Sequence, residues 1–464
     1  MNSAELSYFY HIDQKPAQAI AAIEGQESLS YSALALRCTL MTEQINTLLQ
    51  APRALIFLKA HNNIATLVVY LAAMQSGYPT MLLDPEISET KLVYLIDAYE
   101  PNLLIENHDI KRLHSKSLNL SPQLALMLST SGSTGSAKQV CLSASNLHSN
   151  AQAICEYLPI ESTDTTITTL PFFYSYGLSV INSHLHAGAC IVFNSDSMIS
   201  REFWQQFKQH NISSFAGVPH SYDMLLRLRF ERMELPALRY FTQAGGKLAV
   251  DKIQQLARYA TANDKQFFVM YGQTEATARM AYLKSELAES KAHTIGRAIP
   301  GGEFELWDAN EQLIDHAELQ GELVYRGPNV MLGYAQQLDD LAHFSALSTL
   351  KTGDIAYRDS DGDYVICGRT KRIVKLFGER VSLDEVEDLI AQQGYQCYCF
   401  GDDAKLQVAV LNHNNINELK MSLSVQLQVN HHAIDVVNVA TLPLTANGKK
   451  DYPALKAMLE THVD

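Results

Sequence analysis

The chain has 464 residues, of which 50 are acidic and 36 are Lys or Arg, giving a formal net charge of −14. That balance argues against nucleic acid or an anionic membrane as a general partner. The 47% hydrophobic and 19% charged fractions are those of a soluble globular protein, with length for two or three domains' worth of core.

In chain order, the first residues, MNSAELSYFYHIDQ, lack a charged start followed by an apolar stretch, so no secretory signal is expected. RALIFLKA (53–60), TLVVYLAAMQSG (66–77) and PTMLLD (79–84) predict strand, helix, strand. The longest apolar run, around residues 64–74, is too short to span a bilayer and predicts a core helix, with no membrane insertion. LALML (124–128) predicts a buried strand. ACIVFN (189–194), SSFAGVP (213–219) and FFVMYG (267–272) predict further strands, separated by helical patterns such as REFWQQFKQH (201–210). This alternation predicts an α/β fold of mostly parallel sheets covered by helices. After Gly296 short strands with turn signals predict a small antiparallel barrel or sheet. Seven cysteines without a CxxC pair suit a reducing cytoplasm, and Cys397 and Cys399 alternate in a strand pattern. The sixteen histidines show no ligand spacing, so no structural metal is expected.

The most informative stretch follows the 124–128 strand. Residues 129–136 are all Ser, Thr or Gly, and Lys138 comes two positions later. A strand feeding a loop with so little side-chain bulk lets backbone N–H groups and hydroxyls close around phosphate oxygens, and the lysine adds charge. A flexible linker has similar composition, but this stretch is short, lies between apolar segments and ends on lysine. It is not the common P-loop, which needs Gly-Lys followed by Ser or Thr; here Ala137 precedes Lys138 and Gln139 follows.

The loop resembles the signature of the adenylate-forming, AMP-binding enzymes: acyl-CoA synthetases, adenylation domains of peptide synthetases and luciferase. Further segments match in the family's order across nearly the whole chain. They are MLLDPE (81–86), LPFFYSYGL (170–178), YGQTEAT (271–277), GELVYRGPNVMLGY (321–334), KTGD (351–354), GRTKRIVKLFGERVSLDEVE (368–387) and LPLTANGKK (442–450). The resemblance implies a large N-terminal domain (1–368) that includes a β-barrel-like subdomain. A hinge then leads to a small, mobile α+β C-terminal domain (369–464). Composition shows no linker at that hinge.

The resemblance also implies roles. Thr130, Ser131, Gly132, Ser133, Thr134, Gly135 and Lys138 would hold the phosphates of ATP. Gly245, Gly246, Tyr271, Gly272, Gln273 and Thr274 would complete the nucleotide site. Glu275 would hold Mg2+, a suitable task for a carboxylate with substrate phosphates completing the octahedron. YGQTEAT follows the FFVM strand, where ligand sites of open α/β sheets collect; on its own, TEAT could be only a helix start capped by threonine. Asp354 would take the ribose hydroxyls, although Thr-Gly-Asp is also an ordinary turn, and Arg369 would reach the ribose or phosphates. Lys449 would screen the carboxylate and the α-phosphate during adenylation. Lys371 would be the pivot, Lys375 would face the site in the second half-reaction, and Gly378 would border the pantetheine tunnel. As plain residues these last three are surface lysines and a turn glycine, ahead of a helix with a capping box at Ser382 and Glu385.

The sequence departs from the family at the acyl pocket. Tyr174 stands where many acyl-CoA ligases have histidine, and Ser175 where amino-acid adenylation domains place an aspartate for the α-ammonium. Without that acid, a buried ammonium would be unpaired. Lys247 follows the Gly245-Gly246 pair, either at a pocket rim or in solvent. The expected function is an ATP-dependent carboxylate ligase that forms an acyl-adenylate and transfers the acyl group to a thiol, CoA or carrier-protein phosphopantetheine. The partners would be a small carboxylic acid and, for the second acceptor, a separate acyl or peptidyl carrier protein. No Gly-Gly-x-Ser stretch follows the C-terminal lysine motif, so no internal carrier is expected. The alternatives are a stand-alone amino-acid adenylating enzyme and a non-catalytic nucleotide-binding protein.

Overall fold

The computed structural model describes residues 11–49, 53–129, 138–345, 347–376, 379–402, 405–427, 429–445 and 448–460. The chain divides into two compact units, residues 1–303 with 325–350, and residues 304–324 with 351–464.

The first unit holds two large sheets. One has nine strands, with a parallel centre that runs Ile20–Glu24, Cys190–Phe193, Thr165–Ile167, Ser214–Gly217, Tyr240–Gln243 and Gln266–Tyr271. Antiparallel strands Glu27–Ser30 at one edge, and Ala281–Leu283 and Arg297–Ala298 at the other, complete it. The other has seven strands. Thr80–Leu83 pairs in parallel with both Ile56–Lys59 and Leu124–Ser129, and Ile56–Lys59 with Leu103–Glu106.

Local chemistry accounts for these elements. Helix Ile64–Gln75 is capped by Asn63, whose side chain accepts from the Thr66 amide, and it buries residues all round its circumference. A helix apolar on every side belongs in a protein core, as its sequence predicts. Among the described residues no helix is long and apolar enough to cross a membrane. Helix Arg201–Gln209 is capped by Ser200 and turns Phe203 and Phe207, one turn apart, inward. They join Phe215, Tyr222, Phe230, Phe241 and Phe267 in the core beneath the nine-stranded sheet. Each buried phenyl contributes roughly 1.5–3 kcal/mol, enough for this cluster to fix how helix and sheet pack.

In the second unit, Glu303–Trp307, Gly321–Arg326, Leu350–Arg358 and Tyr364–Arg369 form the four-stranded sheet that the change of pattern after Gly296 announces. A hairpin of Ile373–Leu376 and Glu379–Ser382 leads into helix Leu383–Gln392, where the Ser382 hydroxyl accepts from the Glu385 amide. Beyond it lies a three-stranded sheet with Leu406–Leu411 at its centre, antiparallel to Cys397–Gly401 and parallel to Ile434–Val439. Cys397 and Cys399 lie in a strand as expected, but Tyr398 between them is buried too. The strand is covered on both faces, by the core around Val386 and Ile390 and by Leu455 of helix Tyr452–Glu460. All seven cysteines are free thiols.

Candidate active site

Strands Leu124–Ser129 and Gln139–Ser143 form an antiparallel pair, with Ser129 opposite Gln139 and their side chains hydrogen bonded at 2.9 Å. The two strands that flank the Ser/Thr/Gly stretch are therefore bonded to each other up to Ser129 and Gln139. Thr130, Ser131, Gly132, Ser133, Thr134 and Gly135 lie outside the described residues; Lys138 lies within them. Strand Gly333–Ala335 adds to the far side of Gln139–Ser143, with Tyr334 opposite Val140.

This arrangement builds a short chain of groups. The Lys138 ammonium lies 3.6 Å from the centroid of the Tyr334 ring. The Tyr334 hydroxyl donates to Glu275 Oε1 at 2.8 Å. Burial first, and then the Glu275 charge and hydrogen bond, push the Tyr334 phenol well above its ordinary pKa, so it remains a donor at any physiological pH. Tyr334 lies inside a quoted motif, yet nothing in the motif gives it a role. Its link to Lys138 and Glu275 appears only when the three strands are assembled.

Glu275 sits on one 3-10 turn, Thr274–Ala276, directly after strand Gln266–Tyr271. The cap position is held by Gln273, so Thr274 is the first residue of the turn and not its cap. The chain then reverses through Thr277 and Ala278 at φ 58° and 101°. The second value is unfavourable for a residue with a Cβ. Asn329 holds this reversal. Its Nδ2 donates to the carbonyls of Ala276 (2.7 Å) and Arg279 (3.0 Å), and its own carbonyl accepts from Thr277 Oγ1 (2.7 Å). Met331 N donates to Glu275 O at 2.8 Å. Gly272 is required here, since a Cβ on it would fall 1.6 Å from Ala278 O.

The residues expected at the acyl pocket adjoin this turn. Ser175 Oγ lies 3.1 Å from Thr274 Oγ1. Tyr174 is buried, which raises its phenol pKa, and it packs edge-on to Tyr176 at 6.3 Å. Its hydroxyl occupies the space that a Cβ on Gly245 would need, at 2.6 Å, and Gly245 has φ +83°. Glycine there serves the backbone and the Tyr174 hydroxyl together. Gly246 O accepts from Gln243 Nε2 at 2.8 Å, Tyr271 Oη accepts from Gln273 Nε2 at 3.5 Å, and Lys247 is exposed.

In the second unit Asp354 and Arg369 are cross-strand neighbours, joined by an ion pair from Nε to Oδ1 at 2.9 Å. Asp354 is 2% exposed, whereas the arginine side chain is mostly open. Thr-Gly-Asp, which alone reads as an ordinary turn, lies instead inside the nine-residue strand Leu350–Arg358. Gly353 takes φ +72° within the strand, so the glycine's freedom is used without ending it. Lys371 is exposed on the 3-10 turn Thr370–Arg372. Lys375 pairs with Arg380 along the hairpin backbone, and Gly378 lies outside the described residues. Lys449 closes a tight loop: its amide donates to Thr445 Oγ1 (3.1 Å) and its carbonyl accepts from Thr445 N (2.8 Å). Lys450, Tyr452 and Arg372 all donate to Glu387, an anchoring acid whose position in the helix motif gives no hint of that use.

Comparison with known proteins agrees with this geometry. A family model for AMP-binding enzymes matches residues 116–335, which contain the Lys138–Tyr334–Glu275 chain. Residues 116–335 thus carry an AMP-binding enzyme domain, and relatives that match over nearly the whole chain include adenylate-forming ligases and synthetases. The D-alanine–D-alanyl carrier protein ligase of Bacillus licheniformis is 24% identical over 96% of this chain and 97% of its own. The oxalate–CoA ligase of Arabidopsis thaliana is 30% identical over 57% of this chain and 52% of its own, so that match spans about half of the relative. The o-succinylbenzoate CoA synthetase of Bacillus subtilis, solved with AMP, superposes with a TM-score of 0.80 at 18% identity, covering 97% of this chain and 98% of that one. At that identity the likeness concerns the fold.

Proposed function

We propose that this protein is an AMP-forming acid–thiol ligase. A carboxylate oxygen attacks the α-phosphorus of ATP and pyrophosphate leaves, giving an acyl-adenylate. A thiolate then attacks the acyl carbon and AMP leaves, giving a thioester. The observation that carries this reading is the Lys138–Tyr334–Glu275 chain, which sets a cation and a carboxylate on either side of one tyrosine at strand Gln139–Ser143. Phosphate recognition needs that combination: a lysine for the anion and an acid for its metal.

The residues fit Mg2+. Glu275 contributes one carboxylate, and among the described residues no group of three or more His, Cys, Asp or Glu side chains converges as an all-protein cage would require. Magnesium takes few protein ligands and keeps waters and substrate phosphates; when bound, it neutralises phosphate charge. Following the resemblance, we assign Asp354 and Arg369 to the ribose, Lys449 to adenylation, and Lys371, Lys375 and Gly378 to the change between half-reactions. The thiols, all free, suit the cytoplasm.

The acceptor is the pantetheine of CoA or of a carrier protein. The full-length similarity to a carrier-protein ligase favours the carrier, and an α-amino acid as its load is opposed by Ser175, which cannot pair an ammonium. The test is product chromatography after ATP cleavage in the presence of an acid panel. AMP and pyrophosphate are expected, and ADP would overturn the reading.

A further inference from the structure

Arg279 is among the largest fully buried side chains of the protein, at 2% exposure. Its Nε donates to Ser179 Oγ at 3.1 Å, and Nη1 lies 3.4 Å from Tyr157 Oη and 3.3 Å from Met270 Sδ. The guanidinium carbon lies 5.1 Å from the centroid of the Tyr176 ring. Every one of these partners is neutral. No carboxylate among the described residues pairs with Arg279, and Nη2 donates to none of them. Asp164, the buried acid of the same sheet, is already held by Arg239 at 2.6 Å. A cation taken out of water without a counter-charge is strongly unfavourable, and a packing role would be filled as well by an apolar side chain.

The guanidinium reaches a small cavity through Ser179. Ser179, which it contacts, lines that cavity together with Asn150, Ser175, Asn182, Thr277 and three leucines. Ser179 lies one helical turn beyond Ser175 on helix Ser175–Ala187. A second observation adds an unpaired polar group to this cavity, most of whose wall is apolar. Asn150 is 1% exposed, its Nδ2 is used on Arg279 O at 2.9 Å, and its Oδ1 has no hydrogen-bond partner. A buried amide oxygen without a donor is rare in folded proteins, and it would be left so by a hydrocarbon occupant.

We infer that Arg279 is a specificity-determining residue that pairs with a second anionic group on the acid substrate, so that the preferred substrates are dicarboxylic acids and not fatty or α-amino acids. The inference rests on the adenylation reading, because it takes Ser175 to mark the acyl pocket. In that pocket the acid supplies the counter-charge that the protein withholds. An α-ammonium would meet a like charge in place of an acid.

ATP–pyrophosphate exchange with the full-length chain tests this on matched pairs: butyrate against succinate, valerate against glutarate, benzoate against isophthalate. A hydrogen-bonded charge pair predicts a kcat/KM preference for the better diacid of about 10- to 100-fold. Arg279→Met, once shown to fold by its unfolding midpoint, should lose that preference. Arg279→Lys, which keeps the charge without the fork, should retain part of it. Should Arg279→Met not fold, the wild-type and lysine comparisons decide alone. Monoacids equal to or better than their diacid partners would overturn the inference and leave adenylation standing. Exchange with no acid at all would remove both.

Discussion

At the scale of single residues, Tyr334 does two separable things. Its hydroxyl orients one Glu275 oxygen and its ring lies against the Lys138 ammonium. Tyr334→Phe removes only the first. A hydrogen bond to a charged group contributes about 1.5–3 kcal/mol, less where solvent competes, so a loss of about 10-fold in exchange rate is expected, with a higher Mg2+ requirement. Tyr334→Leu should also raise KM for ATP, because the cation–π contact disappears. Glu275→Gln should shift the Mg2+ dependence further than Tyr334→Phe. If neither variant alters that dependence, Glu275 is not a metal ligand. His184 gives a second prediction. Its Nδ1 faces Val180 O at 2.8 Å and must donate, so Nε2 accepts from Ser214 and Tyr240. Burial lowers its pKa from 6.5 to about 4. Between those values the unfolded chain binds the proton and the folded chain does not, so stability is complete above about pH 6.5 and falls as the pH drops toward 4. The loss should reach about 2 kcal/mol at pH 5 relative to pH 7. Denaturant unfolding at both pH values should show it in the wild type, and His184→Gln should lack that part of the difference.

At the scale of elements, the loop that carries Lys449 is tied to helix Leu383–Gln392 through one buried carboxylate. Glu387 is 6% exposed and accepts from Arg372 Nη2 (2.7 Å), Cys399 N (2.7 Å), Tyr452 Oη (3.0 Å) and Lys450. Burial opposes the Arg372 charge, but Glu387, Tyr452 and Asp384 more than offset it and raise its pKa. Breaking a buried pair costs about 3–5 kcal/mol. Glu387→Gln should therefore destabilise the second unit by about that much in denaturant unfolding and slow adenylation by loosening the Lys449 loop. Lys450→Met, at the exposed end of the network, should cost about 1 kcal/mol. Equal costs for the two would show that the buried carboxylate is not the anchor. Lys449 stands out in the sequence because its neighbours form a motif. Glu387 was not, since in SLDEVEDLI it reads as one acid on a solvated helix face, and only tertiary folding surrounds it with Arg372, Lys450 and Tyr452. The same limit applies to KTGD, whose Gly353 signals a turn locally but lies within a strand because its neighbours pair across the sheet. Arg279 is the sharpest case. Two residues beyond a recognised motif it looks like any surface arginine, and its burial depends on the reversal that Asn329 holds. The alternation of strands and helices was legible where buried parallel strands write continuous apolar runs, as at 53–60, 79–84 and 124–128, and not at the shorter or less apolar strands Thr165–Ile167 and Tyr240–Gln243.

At the scale of the molecule, the assignments make one joint prediction: the two half-reactions draw on different residues of the second unit. Lys449 should serve adenylation, where it screens two anions that must come within bonding distance. Lys371, Lys375 and Gly378 should serve thiol transfer. Loss of a positioned charge at a transition state costs about 10²–10³ in rate. Lys449→Ala should lose acyl-adenylate formation by that factor and still convert supplied acyl-adenylate and thiol to thioester. Gly378→Trp should do the reverse, accumulating adenylate that it cannot pass on, because the indole fills the thiol's approach. A wide residue at a turn glycine can also strain the backbone, so each variant is first matched to the wild type in its unfolding midpoint. The measurements are single-turnover adenylate formation and thioester release from supplied adenylate, made on the same preparations. Opposite losses would establish that the unit presents different residues in the two steps. Equal losses in both steps, from correctly folded variants, would mean that one arrangement of the chain carries the whole reaction and that the pivot at Lys371 has no function.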